Sequence, residues 1–149
     1  FAADRLDHCR NEIGVALARG DTVVCDRYLG SSLTFQVIDG AGDFDADWVR
    51  SLNQPIITPD LSLLIDVPVE VSLSRIIARG KPIERFEVAE TLTKVRERYL
   101  KVFTAETAGL GEVQIIDGTP DAHTVAFEVI GRVMAVVDRR RSARPAGAR

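Results

Sequence analysis

The stretch Asp26-Arg27-Tyr28-Leu29-Gly30-Ser31-Ser32-Leu33-Thr34-Phe35-Gln36 sets an acid and an arginine side by side directly after the apolar run Thr22-Val23-Val24-Cys25. A guanidinium is a rigid fork that fits phosphate or carboxylate. A neighbouring carboxylate can hold a Mg²⁺-bound water, because Mg²⁺ prefers oxygen ligands and keeps its waters. Asp26 and Arg27 therefore suit a Mg-phosphate complex. They suit equally an exposed ion pair worth about 0–1 kcal/mol. A second cationic set, Arg75, Arg79, Lys81 and Arg85, surrounds Gly80 and Pro82, with Glu84 and Glu87 close by. Cationic loops of this kind close on transferring phosphoryl groups and stabilise the charge there; the bland reading is a solvated connection. Phe1 and Arg5 stand four apart, so they share a helix face. With Phe35-Gln36 they offer aromatic stacking and edge-reading polar groups to a nucleobase, although aromatics more often pack in a core.

These residues need a frame. Leu6, Cys9, Ile13, Ala16 and Leu17 follow helical spacing up to Gly20, a glycine placed as a helix stop. Asp21 to Cys25 is a short β-branched run, which predicts a strand. Helices are expected over Ser31 to Asp39 and around Trp48, Val49 and Leu52, with Trp48 as a packing anchor and Pro55 as the stop. Leu61-Ser62-Leu63-Leu64-Ile65-Asp66 reads as a strand buried on both faces. Pro68 fits the first turn of a helix reaching about Arg79. Residues 80–87 form a loop, and Val88, Leu92, Val95, Tyr99 and Val102 mark a long helix. Val113 to Asp117 is a third strand. Thr119-Pro120 supplies a cap and first turn for a last helix with Val125, Val129, Val133 and Val136 on one face. The alternation is that of an α/β domain with a parallel sheet, whose ligands sit at the carboxyl ends of strands. Asp26-Arg27, Asp66 and Asp117-Gly118 all fall there, although a strand-end aspartate such as Asp66 serves equally as a helix cap.

The chain has 149 residues, net charge -3, 46% hydrophobic and 28% charged residues. Those values describe one globular domain with room for a core. The acidic balance argues against a general nucleic-acid binder. No apolar run approaches the roughly 20 residues that span a bilayer. Cys9 and Cys25 are too few for a disulfide scaffold and are read as buried thiols of a reducing, cytoplasmic compartment. His8 and His123 lack metal-like spacing. Residues 1–138 form the domain, and 139–149, ending in "RRRSARPAGAR", are expected to be a basic disordered tail. Phe1-Ala2-Ala3-Asp4-Arg5 enters helical spacing without Met or cap, which reads as a chain entered in mid-domain. On residue chemistry alone this is an α/β phosphate-handling enzyme of open substrate.

"FAADR", "DRYLGSSLTFQ", "PDLSLLIDVPVEVSLSRIIARG" and "ERFE", in that order and spacing, resemble the thymidylate kinase family from Phe1 to about Val137. The resemblance implies ATP-dependent phosphorylation of dTMP to dTDP, with Mg²⁺, on a P-loop nucleoside monophosphate kinase-like parallel sheet, by a protein that is usually a homodimer. It implies that Phe1 stacks on thymine and Arg5 reaches a thymine carbonyl. Asp26 would lie near Mg²⁺ and Arg27 would grip the dTMP phosphate. Ser31 and Ser32 match small polar positions at the base. Phe35 closes on sugar and base, with Gln36 beside it. Arg75, Arg79, Lys81, Glu84 and Arg85 fall in the lid, where Arg79 and Arg85 supply transition-state charge; Glu84 stands where Asp is common. Asp117, Gly118 and Thr119 match the loop passing the adenine of ATP.

The family's G-x-x-x-x-G-K-[ST] loop has no match in these residues. The expected sheet therefore lacks its first strands, including the central one, and shows a gap or collapsed pairing. The chain alone is expected to be poorly stable and inactive. Two other readings remain: a different nucleoside or nucleotide kinase of this class, and a non-catalytic nucleotide-binding remnant.

Overall fold

The structure is a computed structural model that describes residues 1–39, 45–80 and 87–143. Its elements are α1 (Ala2–His8), which continues through a π-helical turn (Cys9–Ile13) into α2 (Gly14–Ala18), then α3 (Leu29–Asp39), α4 (Ala46–Leu52), β1 (Leu61–Asp66), α5 (Val69–Ala78), α6 (Ala89–Thr104), β2 (Glu112–Asp117) and α7 (Ala122–Ala143). The rod formed by α1, the π turn and α2 buries Cys9 and Ile13, as the spacing requires. It ends at Gly20, whose φ of 87° only glycine adopts without strain.

Among the described residues the sheet has two strands, parallel and in register from Leu61 against Glu112 to Asp66 against Asp117. Paired residues share a face. Leu64 and Val113 pack into the core beneath α6. Gln114 and Glu112 on the other face bond to Arg132 and Arg139 of α7. One helix therefore covers each face, which makes the fold α/β.

The expected strand at Asp21 to Cys25 is not one: these residues lie outside the ladder, and Val24 is 80% exposed. Its β-branched sequence favours extended backbone, but a strand also needs a neighbour to pair with. Cys25 is exposed rather than buried, whereas Cys9 is buried as expected. β1 is only partly covered and Ile65 is exposed, because a run buried on both faces still needs flanking strands.

The main core joins α3, α4 and α6 through Leu29, Leu33, Val49, Val102, Phe103 and Leu110. Burying each large side chain contributes roughly 1.5–3 kcal/mol. The anchor of α4 is Val49, 0% exposed, and not Trp48, 44% exposed. Asp45 caps that helix by accepting from the Trp48 N–H at 2.6 Å. Gly30 lets α3 approach α6: a Cβ there would stand 2.7 Å from the Phe103 ring. The cap of α7 is Asp121, which accepts from the N–H groups of His123 and Thr124 at 2.9 and 3.2 Å, and not Thr119. Val125, Val129 and Val133 are half-buried and Val136 is buried, the expected face. α7 runs through Arg139–Ala143, so this part of the expected tail is helical, with Arg139 bonded to Glu112 and Arg140 to Asp60.

Glu106 ties the end of α6 to its neighbours. Its carboxylate accepts from Arg98 at 2.7 and 3.1 Å and lies 3.1 Å from Lys101, and its carbonyl accepts from Arg50 at 2.7 Å. The Arg98 hydrogen bonds hold its pKa below the ordinary 4.5. A depressed carboxyl contributes stability above the unfolded pKa and loses it as pH falls through the folded one. Glu106→Gln is therefore expected to lower the melting temperature at pH 7 and to converge on the wild type as pH drops below about 4.5. Thermal melts of both proteins at pH 7 and pH 3 check this; a gap of equal size at both values overturns it.

Candidate functional site

Two helix N-termini and one helix middle build the site. α3 begins right after the Asp26-Arg27 turn, so Ser31, Ser32, Phe35 and Gln36 occupy its first two turns. Arg27 has φ 67°, the one positive value at a non-glycine among the described residues. That conformation costs roughly 1–2 kcal/mol, and strain of this kind gathers at functional positions. It carries the Arg27 guanidinium over the Phe35 ring, 5.3 Å from the centroid. Asp26 beside it is exposed.

α6 contributes Tyr99, whose hydroxyl lies 2.8 Å from Ser31 Oγ and whose ring meets Phe35 edge-on at 5.8 Å. Burial pushes the Tyr99 hydroxyl up, so it stays protonated near neutrality and can donate. Sequence reasoning saw Tyr99 only as a core position of a long helix. Its spacing is that of any buried residue, and its polar tip was the sole sign of more.

Arg5 and Ser32, both matched to the base, bond directly: Arg5 Nη2 donates to Ser32 Oγ at 2.7 Å. The same nitrogen reaches the Tyr28 carbonyl at 3.4 Å, Nη1 donates to Asn53 Oδ1, and the guanidinium lies over the Tyr28 ring, 5.4 Å from its centroid. Tyr28 is fixed in turn by Ile57, whose carbonyl accepts its hydroxyl at 3.0 Å, and by Cys9 Sγ at 2.8 Å. Burial and the Cys9 contact push the Tyr28 hydroxyl pKa up. Burial likewise lowers that of Arg5. Phe1 opens α1 at 90% exposure, an unstacked ring on the face of Arg5. Gln36 is half-buried one position beyond Phe35.

A second cluster sits at the ends of the strands. Asp66 caps nothing; both its oxygens accept from Arg96 of α6, at 2.7 and 2.8 Å. Asp117 accepts from the Thr119 N–H at 2.9 Å and hydroxyl at 2.8 Å, which holds its carboxyl below the usual range. Gly118 donates to the Asp66 carbonyl at 2.7 Å, and a Cβ there would meet Val67 at 2.5 Å. Arg75, expected in the lid, instead reaches back to this loop and donates to the carbonyls of Gly118, Thr119 and Pro120 at 2.7, 2.8 and 3.0 Å. A guanidinium meeting three carbonyls is a clamp on the loop. Arg79 donates through Nη2 to both carboxylate oxygens of Glu87, at 2.7 and 2.9 Å. Lys81, Glu84 and Arg85 lie outside the described residues. Between the clusters a cleft of about 210 Å³ opens over Asp66, Leu64, Val95, Arg96 and Tyr99.

The arrangement offers a forked cation beside an aromatic face, and a separate half-buried cation held by neutral acceptors. That is the equipment for one end of a molecule that is anionic and another that is planar and carbonyl-bearing. Comparison with known proteins agrees in kind. A family profile described as thymidylate kinase matches residues 1–126. A probable thymidylate kinase of Pyrococcus horikoshii is 43% identical over 133 residues, covering 89% of this chain and 62% of the relative. One of Thermococcus onnurineus is 42% identical with the same coverage. A thymidylate kinase of Methylococcus capsulatus is 40% identical over 124 residues, 78% of this chain and 55% of its own. The chain thus spans about three-fifths of the length of the curated relatives it matches. With the profile running through Phe1, Arg5, Asp26, Arg27 and the α3 positions, the chain belongs to the thymidylate kinase family.

Proposed function

We propose that this chain carries the nucleotide-acceptor half of an ATP:dTMP phosphotransferase with the P-loop nucleoside monophosphate kinase-like fold. One observation supports the reading: Arg5 bonded to Ser32 and Arg27 over the Phe35 ring are set one helical turn apart along α3, a spacing that suits the first to the base and the second to the phosphate of a thymidine nucleotide. Phe1 stacks on the thymine, Arg5 and Ser32 meet its polar edge, and Ser31, Phe35 and Gln36 close on the sugar side. In the reaction an oxygen of the dTMP phosphate attacks the γ-phosphorus of ATP, the new O–P bond forms as the bond to the ADP oxygen breaks, and dTDP and ADP leave. The attacking oxygen is already anionic, so positioning and charge neutralisation carry the rate without a general base. Arg27 holds the acceptor, and Arg79 and Arg85 answer charge on the transferring group. Asp117, Gly118 and Thr119, braced by Arg75, pass the adenine.

Mg²⁺ fits the single exposed carboxylate of Asp26, since this ion binds through one or two carboxylates together with waters and substrate phosphates, and when bound it neutralises phosphate charge. The working protein is proposed to be a cytoplasmic homodimer. No helix among the described residues is long and apolar enough to cross a membrane.

Calorimetric titration of the 149-residue chain with dTMP, dCMP and AMP tests the reading. Saturable binding with dTMP tightest is expected, and equal or absent binding of all three overturns it. A coupled ATPase assay with dTMP is expected to show no turnover by this chain, because the 149 residues hold no G-x-x-x-x-G-K-[ST] step to cradle the ATP phosphates. Turnover by the purified chain would refute that part alone.

A further inference from the structure

Arg5 is a half-buried cation with no carboxylate partner among the described residues. A guanidinium has a fixed set of planar donors and no acceptor. Here Nη2 is used by Ser32 and the Tyr28 carbonyl, and Nη1 is used once, by Asn53. The Nε–H and the second Nη1–H have no partner among the described residues. What fixes the plane of the fork is therefore what fixes the direction of those two donors.

Asn53 stands out among the holders. It is 3% exposed, a depth at which an amide must be fully paired. It follows α4, far in sequence from both α1 and α3, and sits where the last turn of that helix ends. Its two ends do different work: Nδ2 donates to the Val49 carbonyl at 2.7 Å, closing α4, and Oδ1 accepts from Arg5 Nη1. A neutral acceptor holds the guanidinium without cancelling its charge, whereas a carboxylate there would form an ion pair.

We infer that Asn53 is a positioning residue for base selection: through its Oδ1 it locks the Arg5 guanidinium so that one of its unpartnered N–H donors faces a carbonyl oxygen of the bound pyrimidine and opposes an amino group at the same ring position. The inference rests on the thymidine-nucleotide reading of the site. Sites built to hydrogen-bond a substrate group reject the analogue that lacks it far more strongly than apolar pockets reject a change in size. At this ring position thymine carries a carbonyl and cytosine an amine; the ring-nitrogen proton and the 5-methyl group that also distinguish them are the same for every protein variant, so a change in the ratio between variants reads the Arg5 contact.

The experiment compares wild type, Asn53→Ala and Asn53→Asp in the full chain. It reads the ratio of dCMP to dTMP dissociation constants, the melting temperature, and the ¹H–¹⁵N side-chain NMR signals of Arg5. Asn53→Ala is expected to lower the ratio about tenfold, equivalent to about 1.4 kcal/mol. Asn53→Asp keeps the Oδ1 acceptor and loses the Nδ2 donor, so it is expected to hold the ratio within about threefold of wild type. If closing α4 were the only role of Asn53, Asp and Ala would be equally harmful and the ratio would not move while both affinities fell together; that result overturns the inference. Should Asn53→Ala lose its folding transition, Asn53→Leu, close in size and without polar atoms, takes its place with the same expectation. If the wild type shows no dTMP binding, the proposed function fails, and the NMR signals still decide the positioning. Restricted rotation of the Arg5 guanidinium in wild type, released by Asn53→Ala or Asn53→Leu, supports it. The same signals in all proteins overturn it.

Discussion

Arg27→Gly is expected to lose dTMP binding by about 100-fold or more while leaving the protein at least as stable as before. The two effects have opposite signs because they arise from different parts of the residue. The backbone at φ 67° is one that glycine adopts freely, so the substitution removes roughly 1 kcal/mol of strain. The side chain supplies the forked cation over Phe35. Hydrogen bonds to charged groups contribute about 1.5–3 kcal/mol each, and two of them lost from a phosphate amount to a factor of about 100 or more at 1.4 kcal/mol per tenfold. Arg27→Lys keeps the charge as a point on a flexible stem and keeps the strain, so it is expected to recover only part of the affinity. Calorimetric titration with dTMP and thermal melts read both effects. Unchanged dTMP affinity in Arg27→Gly removes Arg27 from the site. A fall in melting temperature means that the turn, and not the ligand, is what the residue serves.

The largest effect on folding is expected at Gly111. It precedes β2 with φ 68°, and a Cβ there would stand 1.9 Å from the Pro59 carbonyl oxygen and 3.0 Å from its carbon. The obstacle is backbone at the entry to β1, not the end of a flexible side chain, so nothing local can move aside without shifting the first pair of the ladder, Leu61 and Glu112. Gly111→Ala is expected to cost on the order of 4 kcal/mol or more, in the range reserved for named structural failures. For a protein of this size that is a fall of roughly 8–16 °C in melting temperature, or loss of a cooperative transition. Gly131→Ala is the control. It lies within α7 with nothing within 4 Å of an added Cβ, and alanine in a helix is favoured over glycine by about 0.5–1 kcal/mol. The same chemical change should thus raise stability at one position and ruin it at the other. Equal small effects at both would mean that the close approach of the two strand entries does not constrain the fold.

What the sequence revealed divides along the range of the interactions. α6 was legible because its valines, leucine and tyrosine repeat at helical spacing, and spacing is local. β1 and β2 were legible as dense apolar runs ending in Asp66 and Asp117. The run at Val23 and Val24 has the same local character and forms no strand, because pairing is a property of the neighbour and not of the run. Trp48 drew the eye by size, yet Val49 next to it points inward; which of two adjacent helical residues faces the core depends on the roll of α4 against α3. At the site, the resemblance set Arg5 and Ser32 separately at the base; that they bond to each other shows only in the folded chain, because the two are distant in sequence. Asn53 and Tyr99 were not: an amide at a helix end and a tyrosine on an apolar stripe each have ordinary structural explanations. Arg75 was assigned by its place among other cations, and only the path of the chain shows that its reach is toward the Gly118 loop.

Arg96, Tyr99 and Phe103 follow one another along α6 at steps of three and four, and each answers to a different neighbour: Asp66 at the end of the sheet, Ser31 with Phe35 at the start of α3, and the closely approached Gly30. A helix advances about 100° per residue, so these three directions agree only while the count between them is kept. α6 thus acts as a phase-keeper. Point substitutions along it perturb one neighbour at a time, but a change in length anywhere from Arg96 to Phe103 would turn one set of contacts away from the others.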